Sequence, residues 1–138
     1  PEYVREKGAE QVHLDELLAK ADFITLHLPL TPETKHLLSE DAFTKMKDGI
    51  YIVDASRGGV IDQAALLRAL ESGKVAGAAI DVFEKEPPVE WDLVKHKKVI
   101  ATPHIGGQTI EAQTRAAEDI SSEVINVLEC KDLRWKIC

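Results

Sequence analysis

The sequence is short of several things at once. Only two cysteines occur, Cys130 and Cys138, both near the far end and outside any metal-ligand spacing. A disulfide scaffold is therefore a poor reading, and unpaired thiols in a reducing compartment, the cytoplasm, fit better. Neither cysteine neighbours a base that would activate it, which argues against nucleophilic thiol chemistry. Four of the five histidines, His13, His27, His36 and His96, have no short-range partnership with another ligand, so no metal site is expected. No apolar run approaches membrane-spanning length, and nothing resembles a signal peptide. Positive charge is scarce too: 24 acidic residues stand against 17 basic ones, a formal charge of −7. That balance argues against nucleic acid or an anionic membrane as a partner, although one local basic pocket can still hold an anion. Nor does any phosphate-cradling glycine fingerprint of the G-x-G-x-x-G kind occur.

What is present is an alternation of two hydrophobic periods in 138 residues, one domain's worth of chain. FITLHL (23–28), YIV (51–53), VAGAAIDVF (75–83) and KVIAT (98–102) read as strands. Between and before them lie helical patterns. LDELLAKA places Leu14, Leu17, Leu18 and Ala21 on one face, and Val12 closes an earlier short strand. Ser39 caps a helix carrying Ala42, Phe43 and Met46. A helix starting near Asp62 holds Ala65, Leu66, Ala69 and Leu70 and stops at Gly73. The last helix, about 108–128, aligns Ala116 or Ala117 with Ile120, Val124 and Val127. Strand–helix repetition of this kind calls for an α/β fold with a mostly parallel sheet, and the small residues of the third strand call for burial on both its faces.

Four irregular loops, HLPLTPET, DASRGG, the stretch from Phe83 to Lys98 and TPHIGG, follow the C-terminal ends of those strands. In a parallel sheet those ends share one edge, where open α/β folds bind ligands. Arg57 is a planar cation suited to a carboxylate or phosphate, with glycines leaving room beside it; taken alone it reads equally as a surface arginine in a turn. His104 is either a hydrogen-bonding residue at the core edge or a general acid/base. Glu86, held extended by Pro87, taken alone is a solvated carboxylate. Asp81 either caps the next turn or accepts a bond from a cofactor amide, and Asp54 either ends its strand or counters the nearby arginine. Together, a cation for a substrate carboxylate, a histidine to exchange a proton and a glutamate to hold the imidazolium form one coherent set.

The stretches LHLPLTPETKHLL, KMKDGIYIVDASRGGVIDQAALLRALESGKVAGAAIDVFEKEP and KVIATPHIGG resemble the D-isomer-specific 2-hydroxyacid dehydrogenases over about residues 1–128. Within that family the likeness is greatest to members acting on 3-phosphoglycerate, then to those reducing glyoxylate or hydroxypyruvate. The resemblance implies a partial Rossmann-like doubly wound sheet, NAD as cofactor and a 2-hydroxy/2-oxo acid substrate. It implies Arg57 as the substrate clamp, His104 as the acid/base and Glu86 as its carboxylate partner. It implies His27, Leu28, Pro29, Thr31, Ala55, Ser56, Arg57, Asp81, His104 and Gly106 as cofactor-facing residues, and a homodimer.

Two departures from the family pattern stand out. Asp54 occupies the position where the family has an asparagine, which exchanges an amide donor for a carboxylate. The glycine-rich first βαβ unit is absent from these 138 residues, as is a substrate domain, so residues 1–128 read as a partial NAD-binding domain and 129–138 as a tail toward the absent domain. A fragment or binding module that keeps the fold without chemistry is the alternative.

Overall fold

The protein is described by a computed structural model covering residues 2–135, with side chains from residue 4 onward. Contacts divide it into two units, Pro1–His104 and Ile105–Cys138.

The first unit opens with two short helices, α1 (Glu2–Glu6) and α2 (Leu14–Lys20), followed by β1 (Phe23–Leu26), α3 (Glu40–Lys45), β2 (Ile50–Asp54), α4 (Gln63–Ser72), β3 (Val75–Ile80) and β4 (Val99–Ala101). The four strands form one parallel sheet in sequential order, β1-β2-β3-β4. Sequential parallel strands joined by right-handed crossovers set their helices on one face. Accordingly α2 packs on α3 and α3 on α4, while α4 lies against β3.

The strands meet this helical layer with every second side chain: Ile24 and Leu26, then Ile50, Ile52 and Asp54, are buried, while Phe23, Thr25, Tyr51 and Val53 are exposed. Phe23 and Tyr51, partners in register, stack on the exposed face with ring centroids 5.1 Å apart. In β3 the alternation slips. Ile50 pairs with Val75 but Tyr51 with Gly77, so one extra β3 residue brings Val75 and Ala78 to the buried face three positions apart. The structure thus buries β3 fully on one side only; Ala76, Gly77 and Ala79 are half-buried.

Helix α4 is the clearest case of sequence specifying structure. Asp62 Oδ1 accepts a bond from Ala65 N at 2.9 Å, satisfying one of the free N–H groups of the first turn. Ala65, Leu66, Ala69 and Leu70 form the buried stripe. Gly73, in the left-handed region at φ 83°, ends the helix where a side chain would be strained. Burying a leucine of this kind stabilises by about 1.5–3 kcal/mol.

Several expectations need correction. Val12 ends no strand, since residues 9–13 are irregular. In α2 only Leu18 is buried; Leu14 and Leu17 stay exposed. The first strand stops at Leu26, because Pro29 and the Thr31–Thr34 turn take the chain out of the ladder, and the third stops at Ile80 rather than Phe83. Ser39 sits at the N-cap of α3 but makes no capping bond through its side chain.

In the second unit, α5 (Ile110–Leu128) is capped by Thr109 Oγ1, which accepts from Ala112 N at 3.1 Å. No α5 residue is buried, and its apolar stripe of Ile120, Val124 and Val127 is exposed. Beyond it the tail turns back: the Glu123 carboxylate accepts from Arg134 N and Trp135 N. Cys130 is free and exposed; Cys138 lies outside the described residues.

Candidate active site

All four strands run the same way, so their C-terminal ends form one edge of the sheet. Strand β2 delivers the chain to Asp54, whose Oδ1 accepts from Ser56 N at 3.0 Å and Ser56 Oγ at 2.6 Å, a turn closed by the aspartate itself. Asp54 and Ser56 are both only 3% exposed. Burial pushes the Asp54 carboxyl above the usual aspartate range, opposed by the two Ser56 bonds and the nearby His27. Asp54 does not counter the arginine. Arg57 is exposed, its Nη1 donating to Ser56 O at 2.6 Å, and among the described residues it makes no ion pair. The carboxylate that replaces the expected amide is instead absorbed by the turn.

The loop after β3 carries the second member. Glu86 Oε1 accepts from Phe83 N at 3.1 Å, and Glu86 Oε2 lies 2.8 Å from His104 Nδ1. The Glu86–Pro87 peptide is cis. The imidazole bond, then the Phe83 N–H, hold the Glu86 carboxyl below the usual glutamate range. A carboxylate on Nδ1 fixes a proton there and leaves Nε2 as the atom that can exchange one. His104 itself has φ 55°, a strained value for a histidine and one met at functional sites. Beside the pair lies a cavity of about 400 Å³, walled by Phe83, Pro87, Pro88, Trp91 and Val94 from one side and Ala101 to His104 from the other. Its walls are almost wholly apolar, so a charge at its mouth is felt more strongly than in water.

The remaining expected residues differ in what they can offer. Asp81, at the end of β3, is 8% exposed, and its Oδ1 accepts a bond from Thr102 Oγ1. A carboxylate is an acceptor-only group, the kind of partner the carboxamide of a nicotinamide could bond. Leu28, Pro29 and Ala55 are exposed at the ends of β1 and β2 and supply apolar surface. His27 Nε2 pairs with Thr25 Oγ1 at 2.9 Å, and the Thr31 side chain and N–H both meet Thr34 Oγ1. Ser56 turns its hydroxyl inward, donating to Asp54 Oδ1. Gly106 lies in the second unit, in the exposed turn before α5. Among the first-unit residues of this set, no glycine turn for a dinucleotide's pyrophosphate occurs.

Three features escaped sequence reasoning. Thr102 and the Phe83 N–H, which hold Asp81 and Glu86, are ordinary residues in a sequence; the pairing of β3 with β4 brings Thr102 to Asp81, and the fold of the loop after β3 brings Glu86 back to Phe83. A second histidine–carboxylate pair, His36 Nε2 to Glu84 Oε1 at 3.4 Å, joins the loop after β1 to the Glu86 loop. Among the described residues no three of His, Cys, Asp and Glu gather into a metal site, and no helix is long and apolar enough to cross a membrane.

A parallel sheet with an arginine and a carboxylate-bound histidine at its C-terminal edge defines the class, a dinucleotide-binding α/β domain of the dehydrogenase type. The family profile described as "D-isomer specific 2-hydroxyacid dehydrogenase, NAD binding domain" matches residues 1–106. The chain belongs to the D-isomer-specific 2-hydroxyacid dehydrogenase family. It is 52% identical over 124 residues to D-3-phosphoglycerate dehydrogenase of Bacillus subtilis, matching 90% of this chain and 24% of that protein. The human enzyme of the same name is 45% identical over 133 residues, 96% of this chain and 25% of the other. Among solved structures, a glyoxylate reductase from Paecilomyes thermophila superposes with a TM-score of 0.88 at 43% identity, covering 94% of this chain and 39% of that one. A D-lactate dehydrogenase from Aquifex aeolicus, complexed with NAD and lactic acid, gives 0.82 at 35%, covering 94% and 44%. The chain spans about a quarter of the length of the curated relatives it matches.

Proposed function

We propose that this chain is the nicotinamide-side part of the cofactor domain of a longer NAD-dependent dehydrogenase, interconverting a D-2-hydroxy acid and its 2-oxo acid. The substrate pair favoured is 3-phosphoglycerate and 3-phosphohydroxypyruvate, a step toward serine, because the relatives at 45–52% identity carry that name. The observation that carries the reading is the 2.8 Å contact of His104 Nδ1 with Glu86 on the same sheet edge as Arg57, whose guanidinium bonds only a backbone carbonyl among the described residues.

Arg57 presents two parallel N–H groups to the substrate carboxylate and draws electron density from the adjacent carbonyl. His104, protonated and held by Glu86, gives the Nε2 proton to the carbonyl oxygen as that oxygen gains charge; in oxidation the neutral Nε2 takes the hydroxyl proton. Asp81, steadied by Thr102, accepts the carboxamide. NAD supplies or accepts the hydride when bound. Residues 1–128 are read as belonging to the cofactor domain and 129–138 as leading toward a substrate domain, in a cytoplasmic homodimer.

Reduction kinetics of the full-length dehydrogenase test the reading. A kcat/KM for 3-phosphohydroxypyruvate well above that for glyoxylate supports it. The reverse order favours a glyoxylate/hydroxypyruvate reductase, the reading supported by the solved glyoxylate reductase at 43% identity. No turnover of either leaves the non-catalytic module.

A further inference from the structure

We infer that Gly58 is a positioning residue: its lack of a side chain lets the arginine loop close on the Phe83–Glu84 peptide, and the place of that peptide sets the Glu86 carboxylate and, through it, the His104 ring. The inference rests on the reading of Arg57, Glu86 and His104 as the catalytic set.

The glycines after Arg57 were expected to leave room beside it. At Gly58 the room is already filled. A Cβ there would stand 1.8 Å from Phe83 O, 2.3 Å from Phe83 C and 2.9 Å from Glu84 N, all of them backbone atoms. No rotamer change relieves such a contact, and the two loops would have to part by about 1.6 Å to reach an ordinary 3.4 Å approach. Gly58 has no positive φ, so space rather than backbone freedom is what it provides. The displaced residue is the one whose N–H donates to Glu86 Oε1 at 3.1 Å, and the other oxygen of that carboxylate holds His104 Nδ1 at 2.8 Å. A run of close contacts therefore leads from the residue beside the arginine to the imidazole. Clamp and acid/base stand on separate loops, and this contact sets their spacing. Misplacing reacting groups by an ångström costs on the order of 10²-fold in rate.

Carboxyl-detected NMR on the 138-residue chain reads the coupling without turnover. The groups acting on Glu86 are His104, the Phe83 N–H and Asp81. In Gly58→Ala the Glu86 midpoint should rise toward the ordinary glutamate range. Gly77→Ala, whose Cβ would stand 3.2 Å from the exposed Tyr51 ring and 3.4 Å from Lys98 O, away from the Glu86 loop, should leave it in place. An unchanged Glu86 midpoint in Gly58→Ala overturns the inference. If that variant does not fold, the unsubstituted chain decides: the amide resonances of Phe83 and Gly58 should follow the Glu86 titration and stop doing so in Glu86→Gln, and a Gly58 amide indifferent to it overturns the inference. In the full-length dehydrogenase, Gly58→Ala should lower kcat on the order of 10²-fold with NAD affinity nearly unchanged, and much less when Glu86→Gln is already present. Additive losses overturn the positioning role. A Glu86→Gln enzyme at full speed overturns the reading of the site while leaving the NMR result intact.

Discussion

At the scale of single residues, the exchange of an expected amide for Asp54 has a thermodynamic signature. Its carboxyl is held above the usual range by burial, so the folded chain keeps a proton at pH values where the unfolded chain has lost it. Stability therefore falls as pH rises from the ordinary aspartate range through the raised folded value, and the charged group is a cost at neutral pH. An asparagine in its place would still accept both Ser56 bonds through the amide oxygen. Asp54→Asn is thus expected to raise the melting temperature at pH 7 by a few degrees, about 1 kcal/mol being worth roughly 4 °C in a domain of this size. The gain should vanish below about pH 4, near the ordinary aspartate value; a gain that persists in acid would contradict the assignment. Glu86 has the opposite sign. Held below its usual range by His104 and the Phe83 N–H, it contributes stability above the ordinary glutamate range that is lost as acid carries the pH through the folded value. For Arg57→Lys, a point charge replaces a fork, so KM for the 2-oxo acid should rise roughly tenfold or more with the NAD dissociation constant unchanged, as titration and steady-state rates would show.

The residues proposed for the site stood out one by one in the sequence because each breaks a local pattern: a cation between a strand and a helix, a histidine after Thr-Pro, a carboxylate before a proline. Their supports did not. Nothing in the sequence says that Ser56 turns inward to Asp54, or that Gly58 accommodates a peptide 25 positions along the chain. Such facts depend on which loops the sheet brings together.

At the scale of elements, periodicity worked best where burial was complete. Helix α4 was read with its start, its stripe and its stop, and its Leu66 is 0% exposed. Leu66→Ala should cost about 2–5 kcal/mol and Asp62→Ala about 1 kcal/mol in urea unfolding. Strand ends were misjudged by two or three residues, since the hydrophobic run continues through His27-Leu28 and Asp81-Val82-Phe83 after the ladder has ended. The bulge between β2 and β3 was invisible as well. A one-residue slip leaves the composition of VAGAAI unchanged while moving its side chains between faces.

At the scale of the whole molecule, the parallel sheet and the shared edge of its loops were implied by strand–helix alternation, and the family by motifs spread over most of the chain. The residues proposed to face NAD belong to its nicotinamide end, and the amides that would cradle its pyrophosphate are not among them. Calorimetric titration of the 138-residue chain should accordingly show feeble NAD binding, millimolar or weaker; micromolar binding would contradict this view. The central claim is that His104, held by Glu86, moves the proton in the chemistry. Steady-state reduction by the full-length His104→Gln enzyme tests it most directly. A fall in kcat of roughly 10²–10⁴-fold with NADH affinity preserved is the predicted result, and turnover at the unsubstituted rate would contradict it.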